Sequence, residues 1–206
     1  MAVDETFKRA KARRNREADV IEAAISVFYA KGYSSATIQD VADAVGVLKG
    51  SLYHYISTKE DLLHMVLRGS HEQAQAIMEE VSALDAPPLE RLRSYLRLIH
   101  LWYLEHPERV SVYFNQQHHL TGESYVEMRM QSREFERFLR GLLAEAKRSG
   151  ALAADVDPKL ATFFILGALN SLPRWYQSGG PLSREQIAEE FSSMATRMLL
   201  PGIRNP

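Results

Sequence analysis

A chain of 206 residues has room for one large domain or two small ones. Its 46% hydrophobic and 25% charged residues match ordinary globular proteins and exclude the disordered, collagenous and membrane classes. Cysteine is absent, which excludes disulfides, thiolate nucleophiles, cysteine-ligated zinc and iron–sulfur clusters and fits a reducing, cytoplasmic setting; the net charge of -1 hides nine Lys/Arg against seven Asp/Glu in residues 1–59 and sixteen against nineteen in the rest.

Residues 1–16 hold Lys8, Arg9, Lys11, Arg13, Arg14 and Arg16, six cations in nine residues with no acid among them. This reads as a basic flexible arm. Either Arg13, Arg14 and their neighbours follow phosphates or enter a minor groove, or the run is a solvated tail. The arm has no apolar leader segment, and the longest apolar run, Phe163–Leu169, is seven residues against the roughly 18 of a membrane span. Neither export nor membrane insertion is expected.

No strand-like alternation and no internal repeat occurs, so the expected fold is all-α. A first helix runs from about Glu17 to Lys31, with Val20, Ile21, Ala24, Ile25 and Phe28 on one face, and Gly32 stops it. Thr37, with Asp40 three residues on, caps a short helix carrying Ile38, Val41, Ala42 and Val45, which Gly46 closes. A turn through Val47 and Leu48 leads into a third short helix, Lys49 to Tyr55. Ser57 and Glu60 form a capping box for a fourth, which continues past Leu62, Leu63, Val66 and Leu67. Two short helices joined by a tight turn and backed by a longer apolar helix make a helix-turn-helix, whose second helix is the groove reader. That helix presents Lys49, Ser51, Tyr53 and His54, which suit phosphates and base edges, while Gly50 lets a backbone approach closely. Spacing alone leaves a plain packing pair open.

The runs Thr37-Ile-Gln-Asp-Val-Ala-Asp-Ala-Val-Gly46, Gly50-Ser-Leu-Tyr-His-Tyr55 and Ser57-Thr-Lys-Glu-Asp-Leu-Leu63 resemble the signature of TetR-family transcriptional regulators over residues 17–64. The resemblance implies a three-helix DNA-binding domain at residues 17–57 and a helical ligand-binding and dimerisation domain at 58–206. It also implies a cytoplasmic homodimer on palindromic operator DNA that usually represses and lets go when a small molecule binds. By position, Lys49, Gly50, Ser51, Tyr53 and His54 would face the major groove or its phosphates, and Thr37 and Lys59 would clamp the DNA backbone. Tyr55 stands where many members have phenylalanine, and either packs as that ring would or hydrogen-bonds a phosphate.

Pro87 and Pro88 precede a helix with Leu92, Leu96, Ile99 and Tyr103 on one side, ended by His106-Pro107. A short segment from Glu108 to His119 and a break at Thr121-Gly122 lead to a long helix, Glu123 to Ser149, closed by Gly150. Asp157-Pro158 caps the next, to about Gln177, which is apolar nearly all round and which Pro173 should kink or shorten. Ser183 and Gln186 box the last. These last two helices have too little protein around them, so a second copy is the expected cover, with Phe163, Gly167, Ala168, Ser171, Trp175, Ile187, Phe191, Met194 and Met198 at the interface. The family resemblance implies the same dimer.

Effector-pocket candidates are the aromatic and polar side chains that interrupt apolar faces: Trp102, Tyr103, Tyr113, Phe114, Gln117, His118, Met128, Phe135, Phe164, Asn170 and Arg174. Each has core packing as its alternative. Arg174 needs an anionic or carbonyl partner, from a ligand or from a nearby acid. Arg174-Trp-Tyr176 and Gly179-Gly-Pro-Leu182 are similar to a TetR subgroup repressing steroid-ring and fatty-acid catabolism genes. That likeness implies an acyl-CoA thioester effector, with a free fatty acid, steroid or drug left open. Seven histidines lack zinc-binding spacing, and phosphate-loop, dinucleotide and nucleophile-elbow motifs are missing, so no metal, no cofactor and no enzyme is expected. A helical adaptor that binds only protein is the competing class.

Overall fold

The computed structural model describes the backbone of residues 2–201 and the side chains of residues 16–201. Among them it contains nine α-helices, one short 3-10 turn and no strand. The helices are α1 (Ala2–Lys31), α2 (Ile38–Val45), α3 (Lys49–Leu52), α4 (Lys59–Ser82), α5 (Pro88–Glu105), α6 (Pro107–Gln116), α7 (Gly122–Arg148), α8 (Pro158–Trp175) and α9 (Arg184–Arg197), with the turn η1 (Gln117–His119) after α6. The chain forms two compact units, Met1–Ser70 with Ser111–Met128, and His71–Val110 with Arg129–Pro206.

The first unit is built on one apolar cluster. Val20, Ala24, Ile25 and Phe28 of α1 meet Ile38, Val41 and Ala42 of α2, Leu52 of α3, and Leu62, Leu63, Val66 and Leu67 of α4, all buried. Val112, Leu120 and Met128 belong to the same cluster. A boundary at residue 57 would cut through it, which is why the unit takes in the first half of α4 and the segment from α6 into α7. Each fully buried side chain of this size contributes about 1.5–3 kcal/mol. The segment read as a flexible arm carries helical backbone from Ala2, continuous with α1; the side chains of Arg13 and Arg14 lie outside the described residues.

Local signals explain the boundaries. Thr37 and Asp40 form the complete capping box of α2, and Gly46 closes that helix at φ 75° with its N–H on Ala42 O and Asp43 O. Only glycine adopts that left-handed conformation without strain. The reading helix is shorter than its spacing indicates. After Leu52 the bonds change to Tyr55 N on Leu52 O at 2.8 Å and His54 N on Ser51 O at 3.4 Å, so Tyr53 to Tyr55 form turns, not helix. At α4 the cap is shifted by one residue. Thr58 caps through Asp61, whose Oδ2 accepts from Ser57 N and Thr58 N at 2.8 and 2.9 Å. Glu60 is thereby released, and it accepts from Thr121 N and Oγ1 instead.

In the second unit α5 packs along α9 and against α8. Between α8 and α9, Trp175 stacks on Phe191 with centroids 5.6 Å apart, and Arg184 Nε at the start of α9 donates to the hydroxyl of Tyr176 at the end of α8, at 3.0 Å. The segment after His106 is helical as α6 and ends in η1. Pro173 neither breaks nor shortens α8 by more than the last turn: the helix runs to Trp175, with Tyr176 N donating to Leu172 O. Asp157 caps α8 and Ser183 with Gln186 boxes α9, as the sequence indicates.

Candidate functional site

The turn and α3 build a surface with a single anchor. Leu52 is fully buried, while Leu48, Lys49, Gly50, Tyr53 and His54 stand exposed and Ser51 and Tyr55 are half-buried. A Cβ at Gly50 would meet nothing within 4 Å. An ammonium, a phenol and an imidazole are thus exposed within six residues of one another. Leu48 is 81% exposed, an apolar side chain at the leading edge of the reader that sequence reasoning passed over. The signal was present: Leu48 begins an element whose only inward side chain is Leu52. An exposed branched alkyl group there suits a thymine methyl in a major groove.

Two expected phosphate clamps have other employment. Lys59 Nζ donates to Tyr33 O at 2.6 Å, Ala36 O at 2.8 Å and Ser34 O at 3.4 Å, and lies 4.3 Å from the centre of the Tyr33 ring. These bonds tie the start of α4 to the turn between α1 and α2. Thr37 Oγ1 donates to Asp40 Oδ2 at 2.8 Å and accepts from Asp40 N at 3.1 Å, and its N–H donates to Asp40 Oδ2. Its hydroxyl is a helix cap.

The same turn is held from the other side. Tyr33 lies against His119, centroids 4.7 Å apart, and His119 against His118 at 4.1 Å. Burial, then the neighbouring His118 and Lys59 charges, lowers the His119 pKa, which favours the neutral ring that packs against Tyr33. Asp40 is held down to about 2 from an ordinary 3.8, first by the Lys31 ammonium 2.7 Å away and then by Thr37. A depressed folded value means that this contribution to stability is present above an unfolded carboxylate's pKa and is lost as pH falls through about 2. Thermal melts at pH about 4 and about 2 should show a loss that is smaller in Asp40→Asn.

The effector candidates fall into three places. Tyr113, Phe114, Gln117, His118 and Met128 belong to the first unit, with Met128 buried in its core, Tyr113 packed on that core and His118 exposed. Met128 is therefore a packing residue of the DNA-reading unit. Trp102, Tyr103 and Phe135 lie in the second unit, Tyr103 buried and the other two half-buried. Phe164, Asn170 and Arg174 are exposed on α8, so none lines an interior. The spacing explains it: Ala161, Ile165, Leu169 and Leu172 form the buried stripe, and Leu160, Phe163, Phe164 and Gly167 the opposite one. Arg174, read as a guanidinium beside the core, is solvated.

The interface candidates divide as well. Phe163 is 48%, Trp175 45%, Met194 45% and Met198 63% exposed, and Gly167 is exposed. Ala168, Ser171 and Phe191 are half-buried. Ile187 is 7% exposed and is buried in the protomer with Ala188. Among the described residues no helix is long and apolar enough to cross a membrane, and no group of three His, Asp or Glu is arranged to hold a metal ion.

Residues 20–66 match the family described as bacterial regulatory proteins, tetR family, and residues 85–199 match the tetracyclin repressor-like C-terminal domain. The chain is 28% identical over 180 residues to the HTH-type transcriptional repressor KstR2 of Mycobacterium tuberculosis, covering 86% of this chain and 89% of that one. It is 24% identical over 200 residues to the fatty acid metabolism regulator protein of Bacillus subtilis, covering 95% and 99%. The solved structure of the ketosteroid transcriptional regulator KstR2 of Mycobacterium tuberculosis superposes with a TM-score of 0.84 at 25% identity, covering 91% of this chain and 96% of that one. That of AibR in complex with isovaleryl coenzyme A and operator DNA superposes at 0.79 and 26%, covering 91% and 100%. With a helix-turn-helix at one end, a matching C-terminal domain after it and no catalytic constellation in its motifs, the chain belongs to the TetR family of transcriptional regulators.

Proposed function

We propose that the protein is a homodimeric repressor of catabolic genes that holds a palindromic operator and releases it on binding an acyl-CoA thioester or a similarly large apolar acid. The exposed reader carries the DNA-binding part: Leu48, Lys49, Gly50, Tyr53 and His54 are presented to solvent over one buried anchor, and nothing in packing requires them there. Lys49, with Arg13 and Arg14, supplies phosphate attraction; Tyr53, His54 and Leu48 bear on sequence choice. Lys59, Thr37 and the half-buried Tyr55 support the pose of that surface.

The dimer is supported by the uncovered stripe on α8 and α9. Leu160, Phe163, Phe164, Met194 and Met198 are large apolar side chains left exposed on these two helices, as a surface awaiting a partner would be. Small Gly167 and Ala168 between them allow close helix approach. The effector class is supported by the relatives: the AibR structure holds isovaleryl coenzyme A and operator DNA, and the Bacillus subtilis relative is a fatty acid metabolism regulator. The test is selection of duplexes from a random library, followed by competition with a panel of acyl-CoA esters, free fatty acids and steroids. An enriched palindrome that an acyl-CoA ester displaces is the expected result. Failure to enrich any duplex would leave the helical adaptor as the better account.

A further inference from the structure

In the second unit, α4 and α7 carry opposite charge on their outward faces. On α7 the acids are engaged: Glu134 pairs with His71, Glu136 with Arg140 and Glu145 with Arg91. The arginines of the outward face are not. Arg133 and Arg137 are exposed, have no acidic partner among the described residues and share a face with Met130, which is 62% exposed. Positions 130, 133 and 137 follow the i, i+3, i+7 spacing of one helix face. Like charges four residues apart work against a helix, so helix stability does not account for this row. On α4 the signs are reversed. From Glu72 to Ser82 that helix holds no Lys or Arg, and Glu72, Glu79 and Glu80, at i, i+7 and i+8, are exposed on one face. Glu79 accepts from Gln75 Nε2 at 3.1 Å, a neutral donor that leaves its charge unmatched. The His71–Glu134 pair, 3.6 Å between Nε2 and Oε2, makes α4 and α7 neighbours here.

We propose that this two-helix face is a second interface between copies of the protein, in which α7 of one copy lies on α4 of the other and the reverse. A two-fold axis parallel to the two helices exchanges their places, so each basic row meets an acidic one and the patch is its own complement. A foreign partner carrying one sign of charge would be attracted by one helix and repelled by its neighbour, whereas a second copy satisfies both. Exposed ion pairs are individually weak and screened by salt. The contact is therefore loose in dilute solution, and effective when copies are concentrated or held on one DNA. Joining two α8–α9 dimers this way gathers four reading helices in one particle, which can then hold two operators at once. The count of four rests on that dimer; the α4–α7 contact does not.

Sedimentation of concentrated full-length protein in about 50 mM and about 500 mM salt tests this. The mass in low salt should be double that in high salt. Arg133→Glu with Arg137→Glu sets acid against acid, and Glu79→Lys with Glu80→Lys sets base against base, so each double variant alone should keep the high-salt mass in both buffers. An equal mixture of the two variants should double again in low salt, because every row then faces its opposite. Rescue by mixing also shows that neither variant lost its fold. An unmodified protein that does not double in low salt, doubling that survives either double variant, or a mixture that stays apart overturns the proposal. A monomer mass in high salt counts against the α8–α9 dimer instead, and its salt-dependent doubling would still support the α4–α7 contact.

Discussion

Gly167→Asp is expected to convert the protein into folded monomers that no longer hold operator DNA. A Cβ at Gly167 meets nothing within 4 Å in the protomer, and aspartate is a better helix residue than glycine, so the single chain tolerates the change. In an isologous dimer the substitution appears twice and places unpaired carboxylates against the apolar rings of Phe163 and Phe164. Breaking or stranding a buried charge costs about 3–5 kcal/mol, so dimerisation should weaken at least about a hundredfold, each tenfold being about 1.4 kcal/mol. A single reader then cannot span two half-sites about one DNA turn apart. Light scattering should give the monomer mass with an unchanged helical circular-dichroism spectrum. An intact dimer would move the interface away from this face of α8.

The second large effect separates two lysines. Lys59→Met removes three charge-assisted bonds to the carbonyls of Tyr33, Ser34 and Ala36, and should destabilise the first unit by about 2–3 kcal/mol. Denaturant unfolding reads this directly. Lys49 is exposed and has no side-chain partner among the described residues, so Lys49→Ala should leave stability within about 0.5 kcal/mol of the parent. It should instead lower the slope of log affinity against log salt by about one. Finding the reverse, a reduced salt slope without loss of stability in Lys59→Met, would return Lys59 to the phosphate backbone.

The contrast shows where local chemistry was legible and where it was not. Helix ends with one possible cap were read correctly, at Thr37 with Asp40 and at Ser183 with Gln186, because only one oxygen in each case sits at the right spacing. At α4 two hydroxyls and two acids are adjacent, so spacing does not choose between them, and in the fold Asp61 takes the cap while Glu60 accepts from Thr121, sixty-one residues away in the chain. Lys59 followed the same logic: its residue type fits a phosphate, and only the fold reveals three carbonyls at its tip. The effector candidates were the least legible. Phe164 and Met128 are both apolar in sequence, and burial sends Met128 to a core and Phe164 to an open face.

Ligand release is an equilibrium claim, and it has a thermodynamic mirror. An effector dislodges the protein only by binding the operator-free conformation more tightly, so operator DNA must weaken effector binding by the same factor. Calorimetric titration of the acyl-CoA ester that displaces the operator into the dimer, alone and saturated with the selected operator, measures this directly. The account predicts that operator lowers ester affinity roughly 5- to 150-fold and that the ester lowers operator affinity by an equal factor. Tight ester binding that is indifferent to operator would contradict a ligand-released repressor.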